Sequence, residues 1–115
     1  MEIKIVAFND AEVYAGIGTV DDYYIISLNE NKEIEIGDVL SGIFDSSEDL
    51  NKDINNITKN YKVNIYLESW QCSLNAAIDH LLHLGSPKRV YAATKDFAAD
   101  SDNVISNLRR EISGS

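Results

Sequence analysis

The chain is short of the residues that staple, break or activate small proteins. In 115 residues it has one cysteine, one proline, one tryptophan and six glycines. A single cysteine, Cys72, cannot close an internal disulfide, which excludes a disulfide-stapled secreted scaffold. No apolar run approaches the ~20 residues that span a bilayer. The opening Met1-Glu2-Ile3-Lys4 has neither the basic nor the apolar region of a secretory signal. These absences lead to the expectation of a cytoplasmic protein with no membrane contact. There is also no HExxH, no CxxC and no glycine-rich phosphate loop, so neither a metal nor a cofactor is expected.

Bases are scarce as well, and unevenly so. Residues 1–57 hold thirteen acids against three bases, a balance of −10, whereas residues 58–115 hold six acids against seven bases. A half so acidic is a poor ligand for nucleic acid, which needs clustered Lys and Arg. It suits a basic protein, because complementary potentials accelerate encounter.

What is present in quantity is hydrophobic periodicity. The hydrophobic fraction of 44% and the length of 115 residues fit one domain, assigned to residues 1–112, with Ser113-Gly114-Ser115 as a tail outside the fold. Ile3, Ile5 and Ala7 alternate with Lys4 and Val6. Val13, Ala15 and Ile17 do the same after the Asn9-Asp10 turn, and Tyr24, Ile26 and Leu28 after Asp21-Asp22. Beyond the polar stretch 29–32, Ile34 and Ile36 alternate with Glu33 and Glu35. Four strands joined by tight polar turns predict an antiparallel meander.

From residue 45 the spacing becomes helical. Leu50, Ile54, Ile57 and Tyr61 form one stripe behind the N-cap candidates Asp45, Ser46 and Ser47. Val63, Ile65 and Leu67 predict a fifth strand. A second helix is expected from Ser69, with Trp70, Leu74, Ala77, Ile78 and Leu81 inward and Gly85 at its C′ position. Val90, Ala92 and Thr94 predict a sixth strand, and Ile105, Leu108 and Ile112 a third helix opened by Asp100, Ser101 and Asp102. The expected fold class is therefore α+β: a single mixed sheet, an N-terminal antiparallel meander followed by α-β-α-β-α, with one right-handed βαβ crossover.

Chemistry is sparse on this frame. Cys72 would lie in the first turn of the second helix, where amides can lower a thiol pKa. Its nearest histidine, His80, would be about 12 Å along the same helix, too far to act as its base. His80 and His83, with Asp79, could begin a metal site but lack a third ligand at suitable spacing. The βαβ edge, with Ser69, Cys72, Thr94 and Lys95, could hold an anion. The remaining candidates are the acids and interleaved tyrosines of the first half: Asp21, Asp22 and Tyr23 at a hairpin tip, Glu33, Glu35 and Asp38 on the fourth strand, and Asp45, Glu48 and Asp49 at the first helix start. Carboxylates and tyrosines together suit an Arg/Lys-rich surface. The leading expectation is a non-enzymatic inhibitor, a bacterial immunity protein that occludes a basic toxin such as a nuclease. Two alternatives stand beside it: a phage-type inhibitor mimicking nucleic-acid charge, and a small enzyme or anion-binding domain using the βαβ edge.

Overall fold

The computed structural model describes residues 1–18, 22–45 and 49–92. Among these lie seven strands, β1 (Glu2–Asn9), β2 (Val13–Ile17), β3 (Tyr23–Leu28), β4 (Val39–Ser41), β5 (Asn51–Asn56), β6 (Tyr61–Cys72) and β7 (Val90–Ala92), and one helix, α1 (Leu74–His83). The strands run in the order β2-β3-β6-β5-β4-β1-β7, and β2 pairs back onto β1. Six of them therefore close an antiparallel barrel, with β7 extending β1 beyond β4. The mainly β barrel overturns the expected α+β mixed sheet.

The first three strands lie where the alternation puts them. The chain then crosses the barrel end through residues 29–38 to bring β4 beside β1, giving the β4-β1-β2-β3 neighbourhood of a Greek key. Residues 33–37, expected as the fourth strand, belong to this crossing. Its end is tied to β1, where the Ile5 amide donates to the Asp38 carbonyl and the Gly37 amide to the Ile5 carbonyl. Ile34 is buried in the barrel core.

The largest correction concerns residues 45–61, expected as a helix. Residues 51–56 are instead strand β5, paired along its whole length with β6. Lys52, Ile54 and Asn56 are its less exposed residues, and Asn51, Asp53 and Asn55 are exposed. Two of the three shielded side chains are polar, which hides the period of two. Lys52 is matched by Asp45 and Asn56 by Asp38. The turn at 57–60 then reverses the chain, with Asn60 at a φ of 62°, a conformation that asparagine tolerates better than most residues.

Two cores share the barrel wall. Ile3, Ile5, Tyr14, Tyr24, Ile26, Leu40, Ile54, Val63, Ile65 and Leu67 fill the interior. Val6, Ala7, Val13, Ala15, Ile25 and Val90 pack outside it against Ala77, Ile78 and Leu81 of α1. The register of β1 against β2 shifts between Ile5 and Ala7. This bulge turns Ala7 from the expected face of Ile3 and Ile5 toward the helix.

The expected βαβ unit is absent. β6 and β7 flank α1 in sequence, but β7 joins β1 antiparallel rather than β6. Helix α1 begins later than expected because β6 continues through Cys72. Ser73, not Ser69, is the cap, its Oγ accepting from the Ala76 amide at 3.2 Å. Gly85 does hold the left-handed position after the helix, at a φ of 77°. A Cβ there would sit 2.5 Å from the Cβ of Ala11, so both conformation and space require glycine. The expected third helix at 100–112 with Ile105, Leu108 and Ile112, the strand residue Thr94 and the tail 113–115 lie outside the described residues.

Candidate functional site

The acids singled out by sequence are dispersed over the barrel. Asp21 and Glu48 lie outside the described residues. Asp22 is in the β2–β3 hairpin, where its carbonyl accepts from the Gly18 amide at 2.8 Å. Tyr23 is partly buried against the helix-side core. Glu33 is exposed on the crossing. Asp45 faces Lys52 at 3.8 Å. Asp49 accepts from the amide and side chain of Asn51 at 3.0 and 3.2 Å, contacts that hold its carboxyl below the ordinary value.

Asp38 is the centre of a built network at one end of the barrel. Its Oδ2 accepts from the Glu35 amide at 3.0 Å, Asn56 Nδ2 at 2.9 Å and Lys59 Nζ at 2.8 Å. Lys59 also reaches Glu35 at 3.5 Å. Burial pushes the Asp38 carboxyl up, but the hydrogen bonds from Lys59, Asn56 and the Glu35 amide outweigh it and hold the group below its ordinary range. Burial pulls Lys59 down, but its bond to Asp38 wins and raises it. Burial raises Tyr14 and Tyr61 nearby. Every one of these shifts moves a group away from neutrality, fixing the ion pair charged and the phenols protonated. That favours a structural clamp between the crossing and the β5–β6 turn over proton transfer.

The other chemical candidates are likewise separated. Cys72 ends β6 and its thiol donates to the Tyr23 carbonyl at 3.3 Å. Burial pushes that thiol up, the reverse of the activation that a helix N-terminus would give. His83 Nδ1 lies 3.1 Å from Asp79 Oδ1 on an exposed helix face. Among the described residues no group of three His, Cys, Asp or Glu side chains could hold a metal ion. Ser69 and Cys72 stand on a strand that does not neighbour β7, and Thr94 and Lys95 are not described, so the proposed βαβ edge has no structural basis.

Sequence reasoning missed a polar wall on the outside of β3, β6 and β5. The buried residues Val63, Ile65 and Leu67 alternate along β6 with Lys62, Asn64, Tyr66 and Glu68. Tyr66 stands between Asn51 of β5 and Ser27 of β3. The surrounding side chains are cross-linked. Asn29 Nδ2 donates to Asn51 Oδ1 at 2.8 Å and Asn64 Oδ1 at 2.7 Å. Asn64 Nδ2 donates to Asp53 Oδ1 at 2.9 Å, and Ser27 Oγ to Glu68 Oε2 at 3.0 Å. The signal was available as Asn64, Tyr66 and Glu68 alternating with the apolar residues, but their partners on β5 were hidden in an expected helix.

No helix among the described residues is long and apolar enough to cross a membrane. Compared with protein-family models, with curated proteins and with solved structures, the chain matches none.

Proposed function

We propose that this chain is a stoichiometric protein inhibitor that acts in the cytoplasm, of the kind bacteria use as immunity proteins. It neutralises a basic toxin, such as a nuclease, by covering the active site or a surface beside it. The observation that carries the reading is the charge of residues 1–57, thirteen acids against three bases, on a closed barrel. Of those three bases, Lys52 is shielded against Asp45, and among the described acids of this half only Asp38 is buried, so most of their negative charge meets solvent. A complementary field of this kind raises the rate of encounter with a cationic partner and disfavours anionic ones.

The test uses the genes that flank this one in its native genome. The upstream product is expected to be toxic alone, harmless when co-expressed with this chain, and recovered with it as a 1:1 complex whose activity is blocked. If neither flanking product binds the chain or loses activity in its presence, the reading is wrong.

A further inference from the structure

We propose that the outer wall formed by β5 and β6, centred on Tyr66, is the face on which a cationic protein docks, with arginine side chains received by Glu68 and Asp53. The inference rests on the inhibitor reading and adds the surface, which differs from the acids visible in sequence.

Closure of the barrel leaves its walls in unequal conditions. Helix α1 covers the outside of β1, β2 and β3 at Val13, Ala15 and Ile25. At the barrel end, Lys59 pairs with Asp38 and also reaches Glu35, so most of the charge there is offset. On the β5–β6 wall, the acids Glu30, Asp49, Asp53 and Glu68 outnumber the bases Lys62, exposed on β6, and Lys52, whose charge reaches Asp49, and none of the four is within ion-pair distance of a Lys, Arg or His among the described residues. Charge with no ion-pair partner among the described residues is what a cationic partner would meet.

The wall is also pre-organised. Asp53 Oδ1 and Glu68 Oε2 are each held by a neutral donor, Asn64 and Ser27. Their second oxygens, Asp53 Oδ2 and Glu68 Oε1, accept no hydrogen bond among the described residues. Such a carboxylate has its rotamer set before binding, and guanidinium groups bond carboxylate oxygens with strong directional contacts. Less side-chain freedom is then lost on association, which is where interfaces of equal area differ in affinity. Tyr66, half-buried between Asn51 and Ser27, supplies the rigid aromatic contact that interface centres favour.

The same features argue against other occupants. The excess of acids over bases repels phosphate, so nucleic acid does not fit. The carboxylates are not grouped closely enough to hold a metal ion.

The experiment is an amide chemical-shift titration of the full isotope-labelled chain with a nine-residue polyarginine peptide. A nine-residue polyglutamate peptide is the control. The expected result is salt-sensitive shifts confined to residues 49–53 and 64–68 with polyarginine, and none with the control. Tyr66→Ala, and separately Asp53→Lys with Glu68→Lys, are each expected to weaken binding at least fivefold while the rest of the spectrum is preserved. Glu68→Gln, which keeps size and hydrogen bonding, serves if the reversal variant unfolds, and is expected to weaken binding at least twofold. Shifts centred on Asp22, Glu33 or Glu35 with the wall unmoved would overturn the face and leave the cationic-partner reading standing. Binding unaltered by the variants would also overturn it. No shifts anywhere would overturn both.

Discussion

Asn9 and Leu81 are joined by one hydrogen bond across 72 residues of sequence: Asn9 Nδ2, fully enclosed, donates to the Leu81 carbonyl at 2.9 Å. The same amide nitrogen donates to the Leu84 carbonyl at 3.1 Å, while Oδ1 accepts from the amides of Ala11 and Val13. One side chain thus satisfies the end of α1 and the turn from β1 to β2 together. Carbonyls at a helix end need such partners when water cannot reach them. Asn9→Ala should therefore cost about 3 kcal/mol, since each stranded buried group is worth about 1–3 kcal/mol. Asn9→Asp should cost a similar amount, because a carboxylate cannot donate to the two helix carbonyls. Urea unfolding of both variants checks this, and a loss below about 1 kcal/mol would show that water replaces the amide.

The Asp38–Lys59 pair makes a pH-dependent contribution whose sign can be worked out. Asp38 is depressed from 3.8, so its contribution is present above that value and fades as pH falls through the lower folded value. Lys59 is raised from 10.5, so its contribution is present below that value and fades as pH rises through the higher folded value. The stability difference between the unaltered chain and Asp38→Asn should hence be a plateau near neutrality that shrinks at both extremes. Its neutral height should be about 2–4 kcal/mol, toward the low end because Lys59 keeps some solvent. A difference independent of pH would mean that packing alone accounts for it.

Leu81 and Ile57 separate the two readings of the chain. Leu81 is wholly buried against β1–β3, whereas Ile57, on the inner stripe of the expected helix, is half exposed in the β5–β6 turn. Leu81→Ala should cost about 2–5 kcal/mol, and Ile57→Ala should stay within about 0.5 kcal/mol. Comparable losses at both sites would contradict the barrel at residues 51–61.

How much was legible follows from how cleanly each face separates polar from apolar. β3 and β6 show their barrel face as Tyr24, Ile26 and Val63, Ile65, Leu67, and these alternations place the strands correctly. β5 does not, because its shielded positions include Lys52 and Asn56, whose compensation by Asp45 and Asp38 is tertiary. Leu50, Ile54, Ile57 and Tyr61 then mimic a helical stripe by chance of spacing. The end of α1 was readable from Gly85, but its start was not, since Ser69 and Ser73 are equally able caps and only the length of β6 decides between them. The acids of the first half were visible as composition. Which of them are spent on internal lysines and which remain available depends on pairings that no local pattern encodes.

Cys72 should behave as an inert thiol. Burial raises its pKa and its Sγ donates to the Tyr23 carbonyl, so little thiolate exists near neutrality. Alkylation by iodoacetamide at pH 7.5 should run well below the rate of a free cysteine peptide and approach it in urea. Cys72→Ser should leave partner binding unchanged. Rapid native alkylation would indicate an opening of the β3–β6 bulge.

Association and dissociation should respond to different residues. At 0.15 M salt the Debye length is about 8 Å, so exposed acids distant from the contact steer encounter and are largely screened once the complex forms. Asp22 in the β2–β3 hairpin and the exposed Glu33 on the crossing are of this kind. Asp22→Lys with Glu33→Lys should slow association with the cationic partner several-fold at low salt, with little effect at 0.5 M and little change in dissociation. Tyr66→Ala removes contact area instead of field, so its effect should fall on dissociation and survive high salt. Stopped-flow association and dissociation rates at two salt concentrations distinguish the two classes. Equal effects of both variants on dissociation would place the hairpin and the crossing inside the contact, and the wall would then be one part of a larger footprint that wraps the barrel end.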